Sequence, residues 1–175
     1  ETRISLFSSV LDSGDKNLIN LMLNDTEENP LNINEHIPYE SNHPILVVNK
    51  DPKLGIVVIE QLLNKGLNPN ILFDDQSLLF QVDSVPLLKL LLKYGIDPNL
   101  MSADRCYSPL LTFIIWDKYE LAIALIKTGG RFMVDLDFEK DDPFINNMKT
   151  DLKYESVYQT LLEYNCCPSL PSLLP

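Results

Sequence analysis

Catalytic and metal-binding chemistry has few residues to work with in this chain. Its 175 residues include two histidines, three cysteines, one tryptophan and six glycines. An odd number of cysteines with no CxxC pair argues against a disulfide framework or a structural zinc site. Cys166 and Cys167 are adjacent, which is poor geometry for bridging each other or sharing a metal. A reducing, intracellular and cytoplasmic setting is the expectation. Basic residues are also scarce: fourteen Lys and Arg stand against twenty-five Asp and Glu, a formal charge of −11. A chain this acidic has no general affinity for phosphate backbones or anionic lipid, and it contains no run of Lys and Arg. Nucleic acid and membrane are therefore not expected partners. No apolar stretch approaches the ~20 residues of a membrane span, and no charged, apolar leader opens the chain. Glu1 at one end and the Pro/Ser-rich stretch 169–175 at the other read as cut or linker-like, so a part of something larger is expected.

The scarce residues do not gather into a reactive constellation either. Neither GxxxxGK[ST] nor GxGxxG occurs among the glycines, and there is no Gly-x-Ser-x-Gly elbow. Cys106 has no histidine near it in sequence to activate it. His36 and His43 lie seven residues apart in one polar connector, with no cysteine or carboxylate at a helical spacing from both, and read as surface loop residues. Asp135-Leu136-Asp137-Phe138-Glu139-Lys140-Asp141-Asp142 imitates the start of a calcium loop. Such a loop needs Gly at its sixth place and Glu at its twelfth. Lys140 and Asn146 stand there instead, so the stretch reads as a solvated acidic connector. The expectation is a protein with no catalytic residues, no metal and no cofactor.

What the chain does have is repetition. Leu62-Leu63-Asn64-Lys65-Gly66-Leu67-Asn68-Pro69-Asn70 returns as Leu91-Leu92-Lys93-Tyr94-Gly95-Ile96-Asp97-Pro98-Asn99. A third copy is Leu125-Ile126-Lys127-Thr128-Gly129-Gly130, and a degraded fourth is Leu161-Leu162-Glu163-Tyr164-Asn165-Cys166. Gly66, Gly95, Gly129 and Asn165 are separated by 29, 34 and 36 residues. Self-similarity at that period predicts a solenoid, in which each unit buries its apolar face only against its neighbours. The recurring Gly marks a helix ending in the left-handed conformation, with Asn the usual second choice, and the following Pro prevents continuation. Before each Gly lies an almost wholly apolar run, such as Leu87-Leu88-Lys89-Leu90-Leu91-Leu92 or Leu18-Ile19-Asn20-Leu21-Met22-Leu23, most sides of which need covering. Each run follows a shorter apolar segment that opens with Ser or Pro, as at Ser77, Ser108-Pro109 and Pro143, which are helix-start residues. Each unit is therefore predicted to be two antiparallel helices plus a projecting turn.

Ser108-Pro109-Leu110-Leu111-Thr112, followed by Glu120-Leu121-Ala122 and closing at Gly129, resembles the ankyrin repeat. Gly14 to Leu23 resembles the start of the second helix in that family, with Asn17 in the place of its Glu. The resemblance covers residues 1–168 as about five units, 4–36, 43–70, 74–99, 104–130 and 142–168, and implies an all-α ankyrin-repeat solenoid. The departures are specific. Ser8, Leu46, Gln81, Leu111 and Ile145 replace the family's histidine, the stretch from Phe80 to Pro86 is about one helical turn short, and the connectors 24–42 and 131–142 are long.

The resemblance implies binding of a protein partner in a concave groove built from turn tips and inner helices. Ile115 and Trp116 fall at the two inner-helix places that such arrays expose, and tryptophan is enriched at binding hot spots. Leu72, Phe73, Met101 and Arg105 are apolar or basic at the turn tips, where a non-binding turn would be polar. These six are the expected contact residues, and the acidity of the chain points to a partner with a basic patch. Divergent repeats and Asn/Ile/Lys-rich usage resemble ankyrin proteins of large DNA viruses and intracellular bacteria, which implies a host factor as that partner. Two alternatives stay open: a substrate-recruiting arm of a larger enzyme or ubiquitin-ligase adaptor, and a small-ligand sensor that stacks its ligand on Trp116.

Overall fold

Three of the leucine-rich runs that the structure describes are helices stopped by glycine, at Gly66, Gly95 and Gly129. The computed structural model describes residues 6, 9–11, 13–24, 33–34, 52–73, 76–101, 108–131, 147–148 and 150–164. Gly66, Gly95 and Gly129 all have positive φ, between 84° and 97°. In each case two backbone bonds close the helix end. The Leu67 N–H donates to Leu62 O at 2.9 Å and the Gly66 N–H to Leu63 O at 3.1 Å. The same pair recurs from Ile96 to Leu91 and Gly95 to Leu92, and from Gly130 to Leu125 and Gly129 to Ile126. This Schellman closure satisfies carbonyls that a helix end would otherwise leave open. The Asn68 and Asp97 side chains then accept from the N–H groups of Asn70 and Asn99, turning the chain away. Asn165, in the degraded fourth copy, lies outside the described residues.

The fold is all-α. Among the described residues, strand is confined to Leu72–Phe73 (β1) and Gln76–Ser77 (β2). The chain divides into two compact units, Glu1–Asp74 and Asp75–Pro175. No helix among the described residues is long and apolar enough to cross a membrane.

In the first unit, α1 (Lys16–Asn24) packs against α2 (Pro52–Asn64). Ile19 and Leu23 of α1 meet a core that includes Val58, Ile59, Leu62 and Leu63 of α2. The expectation that most sides of each apolar run would be covered fails on α1, where Leu18 and Leu21 are 44% and 68% exposed. They lie on the helix side opposite Ile19 and Leu23, away from the seam that α2 fills. Asn34 joins two turns of this unit: its Nδ2 donates to Gly66 O at 2.9 Å, and its Oδ1 accepts from the Asn68 N–H at 2.7 Å.

The second unit holds a 3-10 helix at Leu78–Gln81, then α3 (Val85–Lys93), α4 (Pro109–Ile115), α5 (Tyr119–Ile126), a 3-10 turn at Leu152–Tyr154 and α6 (Glu155–Glu163). Ser77 and Ser108 cap the first and third of these, accepting from the N–H groups of Leu79 and Leu111. The shortened stretch 80–86 leaves room for only one 3-10 turn where α4 stands in the next pair. α4 packs on α5. The 3-10 helix at 78–81 packs on α4, while α3 packs on α5 and α5 on α6. Leu78, Leu79, Leu87, Leu88, Leu91, Leu110, Phe113, Ile114 and Leu125 are all fully buried between them. Burying each such side chain contributes roughly 1.5–3 kcal/mol, so this seam dominates the stability of the unit. Asn99 repeats the bridge made by Asn34, with Nδ2 donating to Gly129 O at 3.1 Å and Oδ1 accepting from the Arg131 N–H at 2.7 Å.

Candidate functional site

α4 is buried from Pro109 to Ile114 and then abruptly exposed. A helix between two neighbours has no solvent side until its end, and here the two residues at that end are Ile115 and Trp116, 45% and 53% exposed. Trp116 is the C-cap, and Asp117 after it takes a left-handed φ of 56°. The Asp117 N–H donates to Ile114 O at 3.1 Å and the Lys118 N–H to Phe113 O at 2.8 Å, so this helix end is closed as the glycine ends are. Gly14, with φ 68° and an N–H bonded to Leu11 O, makes the equivalent turn in the first unit. Asp117 thus occupies a conformation that L residues adopt at a cost of about 1–2 kcal/mol, least for Asn and Asp.

Three side chains hold that turn. Tyr119 Oη donates a hydrogen bond to Asp117 Oδ1, and Lys153 Nζ lies 3.6 Å from the same oxygen. Lys153 also sits over the Tyr154 ring at 4.4 Å, and Tyr154 meets Tyr119 edge-on with centroids 5.7 Å apart. The Tyr119 hydrogen bond, aided by the Lys153 charge, holds the Asp117 carboxyl below its ordinary value. Partial burial, then the hydrogen bond and charge of Asp117, push the Tyr119 phenol up to about 12. On the other side of the turn, Lys118 Nζ donates to Val82 O at 2.9 Å and lies 5.2 Å from the centre of the Trp116 ring. Its ammonium thereby pins the underside of the exposed indole.

Beside this turn runs an open cleft of about 560 Å³, between the residues at the start of α3 and those at the start of α5. Val85, Pro86 and Leu121 supply its apolar surface, and Asp83, Asp117 and Glu120 its carboxylates. Ser84 Oγ is buried at the cleft and finds no hydrogen-bond partner among the described residues, although Ser84 is the N-cap of α3. A smaller cavity of about 290 Å³ lies between α1 and α2 in the first unit.

Of the six expected contact residues, the structure brings Ile115 and Trp116 together on one exposed corner. Leu72 and Met101 are half-buried. Phe73 is described in its backbone alone, as part of β1, and Arg105 lies outside the described residues. His36, His43, Cys106, Cys166, Cys167 and the acidic stretch 135–142 also lie outside them. Among the described residues no group of three or more His, Cys, Asp or Glu side chains could hold a metal ion.

Asp117, Tyr119, Lys153 and the cleft were not among the expected residues. One sequence feature points to Asp117: it stands where Gly14 stands in the first unit, and a non-glycine there needs its own support. Lys153 carries no comparable sequence mark, because it reaches Asp117 only through the fold. Set against family models, curated proteins and solved structures, the chain matches none.

Proposed function

We propose that this chain is an ankyrin-type repeat array whose role is to bind a protein partner, and that Ile115 and Trp116 lie at the centre of the binding face. The observation that carries this reading is a tryptophan more than half exposed at the end of a helix that is otherwise buried. Exposed Trp beside exposed Ile is the kind of anchor that supplies most of an interface's energy. Its position is fixed beforehand by Lys118 and by the closed turn at Asp117, so little entropy remains to be lost on binding.

Three further features support the array itself. Left-handed glycines recur at the repeat period, like helices pack on like helices in the second unit, and Asn34 and Asn99 make the same two-bond bridge between successive turns. The net charge of −11 favours a partner with a basic face, steered by long-range attraction.

The test is a double readout on Trp116→Ala. Partners recovered with the wild-type chain are titrated against the variant, and helical circular dichroism is recorded in parallel. The expected result is a loss of ~2 kcal/mol or more in binding, roughly thirtyfold in Kd, with the helical signal unchanged. Binding retained by a folded variant would move the site elsewhere on the molecule. Binding lost together with the helical signal would make Trp116 structural.

A further inference from the structure

We propose that the docking of α6 sets the binding corner: Lys153, in the 3-10 turn that leads into α6, is a positioning residue that holds the Asp117 turn and, through it, the Trp116 indole. This rests on the reading of Trp116 as the centre of the binding face and adds what regulates that face. Two turns of the same kind differ in one residue. Gly14 in the first unit reaches its left-handed φ of 68° at no steric cost, because glycine has no Cβ. Asp117 makes the equivalent turn at φ 56° with a Cβ, so its backbone alone works against closure. Closure there depends on what the carboxylate meets. It meets Tyr119 at the start of α5 and Lys153 just before α6.

The path from Lys153 to the indole is short. Lys153 Nζ reaches Asp117 Oδ1 because α6 lies on α5, with Val157, Thr160 and Leu161 of α6 buried. The rings of Tyr154 and Tyr119, edge to face at 5.7 Å, cross the same joint, and the Lys153 ammonium sits over the first of them. On the other side of Asp117 comes Lys118. Its N–H closes the end of α4 on Phe113 O at 2.8 Å, and its ammonium lies 5.2 Å from the centre of the Trp116 ring. An Asp117 that left the left-handed region would carry Lys118 away from both. Two states follow: α6 docked with the turn closed and the indole held, and α6 loosened with the turn open and the indole free. Coupling between two sites is reciprocal, so a partner that prefers the held indole also tightens α6 on α5. Both charges of the Asp117–Lys153 pair are exposed, so the pair shifts this balance by a factor of about two to five, a bias and not a lock.

The experiment is a double-mutant cycle on the intact chain. It is read by NMR-detected hydrogen exchange at the Asp117 and Lys118 amides and by time-resolved anisotropy of Trp116, the single tryptophan. Lys153→Met keeps an unbranched stem and removes the charge. It should speed exchange at both amides about two- to fivefold and raise the nanosecond motion of the indole, with far-UV circular dichroism unchanged. Lys153→Arg should return both readings to wild-type values. Asp117→Gly closes the turn without side-chain help, so Lys153→Met in that background should change neither reading. Where Lys153→Met fails to fold, Tyr119→Phe removes the other support, and it should loosen the turn in the Asp117 background but not in the Asp117→Gly background. Readings untouched by Lys153→Met, or changed equally in both backgrounds, would overturn the proposal. So would faster exchange around an unmoved indole. No partner takes part in these readings, which keeps them separate from the binding test. A folded Trp116→Ala variant that still binds removes the face and leaves the cycle standing, whereas an additive cycle removes the positioning role and leaves the face.

Discussion

Asp117 combines an unfavourable backbone with favourable side-chain partners. Its left-handed φ works against it, and the hydrogen bond from Tyr119 and the nearby Lys153 ammonium work for it. The balance depends on charge, and so on pH. Because the folded state holds the Asp117 carboxyl below its ordinary value, this contribution is complete above about pH 4 and is lost as pH falls through the lowered value. Tyr119 has the opposite sign. Its pKa is raised to about 12, so its share is complete below about pH 10, the ordinary phenol value, and is lost as pH rises toward 12. Tyr119→Phe should therefore lower stability across the middle of the pH range and bring its stability curve toward the wild-type curve at both ends. Urea unfolding of both proteins from pH 2.5 to 11.5 measures this, and a difference independent of pH would show that the hydroxyl is not coupled to Asp117.

At the scale of the helix, burial sorts the leucines. Leu91 on α3 and Leu125 on α5 are fully buried, and each also supplies the carbonyl that closes its helix end. Leu→Ala at either site should cost ~2–5 kcal/mol, the range for a cavity in a packed core. Denaturant unfolding monitored by far-UV circular dichroism checks it, and a change below ~0.5 kcal/mol at both sites would mean that the helix phase is wrong. The α5 end is tighter than the others. A Cβ on Gly130 would lie 2.6 Å from Leu125 Cγ and 2.9 Å from Leu125 O, so this position excludes the larger residues that follow Gly66 and Gly95. α1 is the opposite case, with Leu18 and Leu21 in solvent on a helix whose sequence resembles its buried counterparts. Composition alone does not distinguish these helices, because coverage depends on which neighbours reach each side.

At the scale of the whole molecule, the proposed reading as a repeat array makes stability a sum of unit terms and interface terms. On that reading Asn34 and Asn99 belong to the interfaces, since each bonds through its amide to a later turn. Asn99→Ala should lower stability by about 1–2 kcal/mol, two modest hydrogen bonds at an exposed joint. It should also speed hydrogen exchange at the Arg131 amide, which Asn99 Oδ1 accepts. Unchanged exchange at Arg131 would show that the bridge adds nothing to the joint. The pattern behind it was present in the chain. Leu31-Asn32-Ile33-Asn34 matches Leu67-Asn68-Pro69-Asn70 at every place but the Pro and shares the apolar, Asn/Asp and final Asn places of Ile96-Asp97-Pro98-Asn99, without the preceding glycine that made the other two conspicuous.

The sequence by itself determined where three of the described helices stop, how two of them start, and that helix would dominate the fold. Those features are legible because their causes are local: a left-handed glycine or a serine cap acts within about five residues of itself. It also marked Trp116 as the residue to watch, through position in the repeat. Only the tertiary structure decided that Trp116 is exposed, that Leu72 and Met101 are half-buried, and that a carboxylate-lined cleft lies beside the indole. Those outcomes depend on residues far apart in the chain. Lys118 reaches a carbonyl 36 residues away, and Asp117 meets Lys153 only once α6 has packed on α5. Exposure and electrostatics are sums over such neighbours, and no window along the chain contains them.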